Sequence, residues 1–149
     1  MKISILTISD TRNLENDLSG KKIEELAQEH EILTRKIVKD ERTDIQQAYE
    51  KLDTEIIITN GGTGLAKRDV TFEALQPFVS REIPGFGEIF RKLSYEEIGS
   101  HAIASRAFAF FNHKDQLTFV LPGSTKACEL AMKKLILAEL EHLIHERRK

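Results

Sequence analysis

The sequence predicts an α/β chain built on a mostly parallel, layered sheet, and two observations carry that prediction. Lys2 to Ser9 and Glu55 to Thr59 are short, near-continuous aliphatic runs, as expected of strands covered on both faces. Between and after them the apolar spacing changes to a helical period, so strands and helices alternate, which implies right-handed crossovers in an open sheet. In such sheets ligands bind where loops leave the carboxyl ends of strands. Asp10, Asp40 and the loop Gly61-Gly62-Thr63-Gly64 all follow such ends, so three polar segments are expected to converge on one edge.

The elements follow in order. Lys2 to Ser9 is a buried strand ended by the turn Asp10-Thr11-Arg12-Asn13. Ile23, Leu26 and Ala27 recur at helical spacing between Ser19 and His30, and "EILTRKIVK" from Glu31 returns to strand. Thr43-Asp-Ile-Gln46 has the form of a capping box, predicting a helix from there to about Asp53. After the Glu55–Thr59 strand, Thr71 is placed to cap a helix through Gln76. Pro84-Gly85-Phe86-Gly87 reads as a break before a helix from Glu88 to Ile98. Ser105 to Phe111 and Gln116 to Leu121 form an antiparallel hairpin across "NHKD", and a long amphipathic helix runs from after Ser124 to about Glu146.

At 149 residues, with 40% hydrophobic and 31% charged side chains, the chain is expected to form one domain, residues 1–149. A formal charge of −2, from 22 basic and 24 acidic residues without a basic face, argues against nucleic acid. The closing basic residues read as a solvated helix end. No apolar run approaches the roughly 18 residues a membrane span needs and no leader pattern is present, so a cytoplasmic location is expected. The one cysteine, Cys128, falls in a helical pattern with Ala127 and Leu130, as a buried thiol would. The five histidines are scattered, as surface residues are.

The glycine loop "NGGTGLAKRD" carries the chemistry. It lacks the third glycine of the dinucleotide fingerprint and the lysine register of the P-loop. It is therefore either an empty turn or a main-chain phosphate cradle of another kind. Asp69, five residues past the last glycine, favours the cradle, because Mg²⁺ prefers one or two carboxylates plus phosphate oxygens. Asp40 is the candidate partner carboxylate, with an ordinary turn aspartate as the alternative. Ser124, in "LPGS", stands at a helix N-terminus, either as a plain cap or beside an anion.

Taken together, "TISDTR" (7–12), "DLSG" (17–20), "NGGTGLAKRDVT" (60–71), "REIPGFGEIFRKLS" (81–94), "SRA" (105–107) and "LPGSTKA" (121–127) resemble the MoaB/MogA family of molybdenum cofactor biosynthesis proteins, in order and over nearly the whole chain. The resemblance implies a three-layer α/β/α molybdopterin-binding domain that assembles as a homotrimer or homohexamer. Active members transfer AMP from Mg·ATP to the terminal phosphate of molybdopterin and release pyrophosphate, ahead of handover for molybdate insertion. It implies Asp40 and Asp69 as the catalytic and Mg²⁺-binding acids, and Gly61, Gly62, Thr63 and Gly64 as phosphate ligands, with Gly123 and Ser124 closing the adenine side. Glu88, Ser94 and Ser105 would line the pterin side, and Arg106 would either pair with the pterin phosphate or form a structural ion pair. Other members of the family have no established activity, so a pterin-binding carrier is the rival reading. Three positions depart from the family pattern: Asn60 before the glycines, the bulky Phe108–Phe111 run after "SRA", and the absence of proline near Leu137-Ala138-Glu139, which implies a straighter closing helix.

Overall fold

A computed structural model describes residues 1–149. Six strands form one sheet in the order β2-β1-β3-β6-β5-β4. β1 (Lys2–Ile8), β2 (Glu31–Val38), β3 (Ile56–Asn60) and β6 (Leu117–Leu121) are mutually parallel. β5 (Phe108–Asn112) runs antiparallel to β6 and to β4 (Val79–Glu82). The expected hairpin is present: Asn112 N–H donates to the Gln116 carbonyl at 3.1 Å, and Asp115 turns the corner with φ 61°.

Alternation along the strands divides the core into two layers. Ile3, Ile5, Ile56, Ile58, Leu117 and Phe119 face one side, against α1 (Leu18–Leu26), α4 (Pro84–Ile98), α5 (Thr125–Ala131) and α6 (Leu137–Arg148). Leu6, Ile8, Ile57 and Val120 face the other, against α2 (Arg42–Glu50) and α3 (Thr71–Leu75). A three-layer α/β/α domain results. The Phe108–Phe111 run is buried in it throughout, with Phe108 stacked on Phe110 at 5.3 Å and tilted against Phe72 at 4.9 Å. No helix is long and apolar enough to cross a membrane.

Several local expectations need correction. α2 begins at Arg42 with Glu41 in the cap position and no side-chain cap bond, so Thr43 lies inside the helix and closes no capping box. Thr71 is likewise within its helix, and its hydroxyl serves the glycine loop instead. Pro84 starts α4 rather than breaking the chain, because proline's missing N–H costs nothing in the first turn. Gly87 sits inside that helix where a Cβ would lie 2.9 Å from the Ala107 carbonyl oxygen. Residues 105–107 precede β5 rather than belonging to it. The closing helix lacks a proline, yet it is not a uniform α-helix: a π-helical turn at Met132–Ile136 joins α5 to α6. β4 had no sequence counterpart.

Candidate functional site

The loops leaving β1, β2, β3 and β6 meet at one edge, and the strand order reverses between β1 and β3, where ligand crevices form in open α/β sheets. A cleft of about 400 Å³ opens there, lined by Ser9–Arg12, Asp40, Gly61–Gly64, Arg68, Asp69, Ser105, Pro122 and Gly123, with Ile8 its one hydrophobic residue. The three polar segments expected to converge do so.

The glycine loop is shaped by close approach. Gly61 has φ 102°, and a Cβ there would lie 2.2 Å from the Ile8 carbonyl oxygen. Gly62 has φ 69°, and its Cβ would meet Thr71 Oγ1 at 2.2 Å and Asp40 Oδ1 at 3.2 Å. Only glycine fits either position without strain. The four carbonyls of the loop are drawn backwards into the protein. Thr71 Oγ1 donates to Gly61 O at 2.9 Å and Thr71 N to Gly62 O at 3.2 Å. Arg106 N donates to Thr63 O at 3.0 Å and Arg106 Nε to Gly64 O at 3.1 Å. The opposite faces of these peptides carry the N–H groups. Gly61 N donates to Leu121 O at 3.0 Å, whereas the N–H groups of Gly62, Thr63 and Gly64 and the Thr63 hydroxyl have no protein acceptor. Successive unpaired N–H groups at a concave edge form an anion nest.

Asp40 and Asp69 line the same cleft. Asp40 Oδ2 accepts from Asp10 N at 3.1 Å while Asp40 N donates to Asp10 Oδ1 at 2.9 Å, a reciprocal clamp between the first two strand ends. Burial raises the Asp40 pKa above the usual carboxylate value, and the facing Asp10 carboxylate adds to the rise. Asp69 Oδ2 accepts from Ala66 N at 3.1 Å and lies where a Cβ on Gly64 would be 2.8 Å away. Three or more His, Cys, Asp or Glu side chains nowhere gather closely enough to cage a metal. Two hard carboxylates beside an anion nest fit Mg²⁺ held jointly with phosphate oxygens and water.

Behind the cleft lies a buried network that the sequence did not disclose. Asp17 is fully buried, caps α1 through Gly20 N at 3.0 Å, accepts from Thr7 Oγ1 at 2.8 Å, and pairs with Arg35 at 3.2 Å. Asn60 accepts from Ser19 Oγ at 2.7 Å and donates to Thr7 Oγ1 at 3.0 Å. Arg12 joins this network to the last loop by donating to the Gly123 carbonyl at 2.7 Å. Asn60 thus ties β1, β3 and α1 together, which accounts for an amide before the glycines. The signal for Asp10, Arg12 and Asp17 lay in "TISDTR" and "DLSG", but their partners are distant in sequence.

The remaining predicted residues divide between the cleft and its surroundings. Ser105 and Gly123 line the cleft, whereas Ser124 caps α5, accepting from Ala127 N at 3.0 Å. Glu88 is exposed and Ser94 buried on α4, and neither lines this cleft. Arg106 lies behind the loop, ion-paired with Glu73, whose pKa is lowered first by that hydrogen bond. Cys128 is buried, its thiol pushed up to about 12 by burial. His101, His113, His142 and His145 are exposed and His30 half-buried, all outside the cleft.

Fold and site together define an α/β/α domain with a main-chain anion nest and two carboxylates at its switch point. Residues 4–142 match the family described as probable molybdopterin binding domain. Molybdenum cofactor biosynthesis protein B of Bacillus cereus is 48% identical, the alignment covering 98% of this chain and 90% of that protein. A crystal structure of a molybdenum cofactor biosynthesis protein B superposes with a TM-score of 0.92 at 47% identity, covering 100% of this chain and 97% of the other. The tungsten cofactor synthesizing protein MoaB from Pyrococcus furiosus gives 0.91 at 31% identity, covering 99% and 97%. The chain belongs to this family of molybdenum cofactor biosynthesis proteins.

Proposed function

We propose that the protein adenylylates molybdopterin, using Mg·ATP and releasing pyrophosphate. The observation that carries this reading is the nest of unpaired N–H groups at Gly62, Thr63 and Gly64, set in one cleft with Asp40 and Asp69. In the reaction a terminal phosphate oxygen of molybdopterin attacks the α-phosphorus of ATP. A new P–O bond forms to that phosphorus, the bond to its bridging oxygen breaks, and pyrophosphate leaves with the electron pair. No protein nucleophile is needed, since positioning and charge neutralisation account for most of such catalysis.

The loop N–H groups donate to the polyphosphate oxygens, and the Thr63 hydroxyl adds a further donor. Asp40 and Asp69 hold Mg²⁺, which when bound offsets charge on the polyphosphate. Gly123 and Ser124 border the adenine side. Ser105 borders the pterin side from within the cleft, Glu88 and Ser94 stand outside it on α4, and Arg106 acts from behind the loop. Self-association as a homotrimer or homohexamer belongs to the same reading, supported by the exposed apolar side chains Ile89, Tyr95 and Ile98 along α4 and Ile103 beyond it. The product would pass to a molybdate-inserting protein.

Incubation with molybdopterin, ATP and Mg²⁺, following pyrophosphate and adenylylated pterin, tests the reading. Stoichiometric release of both supports it. Pterin binding without product would replace it with a carrier function, and sedimentation separates trimer from hexamer.

A further inference from the structure

Arg106 and Thr71 hold the four carbonyls of the glycine loop, two each, from the side away from the cleft, and Arg106 also reaches the main chain of Asp69. Its N–H and Nε hold the Thr63 and Gly64 carbonyls at 3.0 and 3.1 Å, and Nη2 holds the Asp69 carbonyl at 2.8 Å. Nη1 and Nη2 both meet the Glu73 carboxylate, Nη2 at 3.3 Å, and the guanidinium lies 5.4 Å from the Phe72 ring centroid. Glu73 and Phe72 belong to α3, whose first residue, Thr71, holds the other two loop carbonyls.

A peptide plane that points its carbonyl one way points its N–H the other. The carbonyls of Gly61, Gly62 and Thr63 share peptide planes with the N–H groups of Gly62, Thr63 and Gly64, so Thr71 orients the first two of these N–H groups and the Arg106 main chain the third, while the Arg106 guanidinium holds the Gly64 carbonyl that ends the nest, all before any ligand arrives. The same guanidinium anchors the backbone of Asp69. A guanidinium whose donors are spent on two carbonyls and a carboxylate has little left for a substrate phosphate.

We infer that Arg106, held by Glu73, is a positioning residue that fixes the Gly64 end of the Gly62–Gly64 anion nest and the backbone of Asp69, rather than a ligand of the pterin phosphate. This rests on the nucleotide reading above and deepens it: Glu73, on the far side of Arg106 from the loop, becomes a functional residue without touching substrate. Lysine cannot replace arginine here, since one ammonium cannot reproduce a planar fork serving Gly64, Asp69 and Glu73 at once.

The test measures binding of Mg·ATP, Mg-pyrophosphate and molybdopterin separately, by calorimetry, for the wild type, Arg106→Lys, Arg106→Ala and Glu73→Gln. Thermal melts and the amide resonances of Gly62, Thr63 and Gly64 are followed in parallel. The expected result is a tenfold or greater loss of Mg·ATP and pyrophosphate affinity in Arg106→Lys and a loss of several fold in Glu73→Gln. Molybdopterin affinity should change less than threefold, and nest amide shifts on adding pyrophosphate should be lost or scattered. Should Arg106→Ala fail to fold, the lysine and glutamine variants carry the test. Loss of molybdopterin affinity with Mg·ATP unchanged would show Arg106 to be a pterin ligand and overturn the inference, as would unaltered nest amides in Arg106→Lys. A wild type that binds neither Mg·ATP nor pyrophosphate would instead overturn the nucleotide reading itself, and this assignment with it.

Discussion

Asp10 and Asp40 hold each other by their main chains: each backbone N–H donates to the other's carboxylate, at 2.9 and 3.1 Å. The clamp fixes Asp40 at the cleft and sets two like charges face to face. Burial first, and the Asp10 charge second, raise the Asp40 pKa. Activity that needs ionised Asp40 should therefore fall on the acid side at a higher pH than an ordinary aspartate would give. Asp10→Asn removes the like charge, so the acid limb of the pH–rate profile should move to lower pH. A limb that stays put would show that Asp10 does not act on Asp40.

Gly62→Ala should be costly for two separate reasons. Its φ of 69° is strained for alanine, and the new Cβ would lie 2.2 Å from Thr71 Oγ1. Together these predict about 2 kcal/mol or more of lost stability. In a domain of this size that is about 4–8 °C in Tm. Nucleotide affinity should fall more than Tm does, because Asp40 Oδ1 is the next atom the Cβ meets, at 3.2 Å. Calorimetric melting and titration on the same variant check both parts.

The buried Asp17 makes a stability prediction away from the cleft. Asp17→Asn removes the buried carboxylate that Arg35 and Arg12 face at 3.2 and 3.7 Å, leaving Arg35 only Glu24 at 3.0 Å. Losing one partner of a buried ion pair costs about 3–5 kcal/mol. The arginines retain 17% and 31% exposure, which places the loss near about 3 kcal/mol. Denaturant unfolding measures it directly, and a loss below about 1 kcal/mol would show the network to be dispensable.

At the opposite end of the sheet, Tyr49 hydrogen-bonds Thr118 at 2.7 Å and accepts from Asn112 at 3.0 Å. Burial raises its pKa from 10.0 to about 12, against the opposing effect of those bonds. The unfolded chain thus loses this proton first as pH rises. Stability is fully present below pH 10, falls between pH 10 and about 12, and the loss totals about 2–3 kcal/mol. Tyr49→Phe should flatten that alkaline step while lowering stability at neutral pH through the lost bonds.

The strands β1 and β3 and the convergence of three loops were legible because aliphatic runs and strand ends are local signals. β4 was not, since its residues Val79–Glu82 are a short, mostly exposed edge strand without alternation. Thr43 and Thr71 have the residue type of a cap, yet neither caps a helix, because tertiary packing sets where α2 and α3 begin. The candidate site divides the same way. The nest glycines and Asp69 sit within ten residues and could be read together, whereas Arg12 with Gly123, Asp17 with Arg35 and Arg106 with Glu73 are pairings made only by the fold.

The central claim is that Asp40 and Asp69 hold the metal for adenylyl transfer from the glycine nest. The most direct measurement is pyrophosphate release from Mg·ATP and molybdopterin by Asp40→Asn and Asp69→Asn, beside the wild type and with melting curves for all three. The predicted result is turnover in the wild type and loss of at least a hundredfold in each variant at nearly unchanged Tm. Product formation by both variants at the wild-type rate would contradict the account.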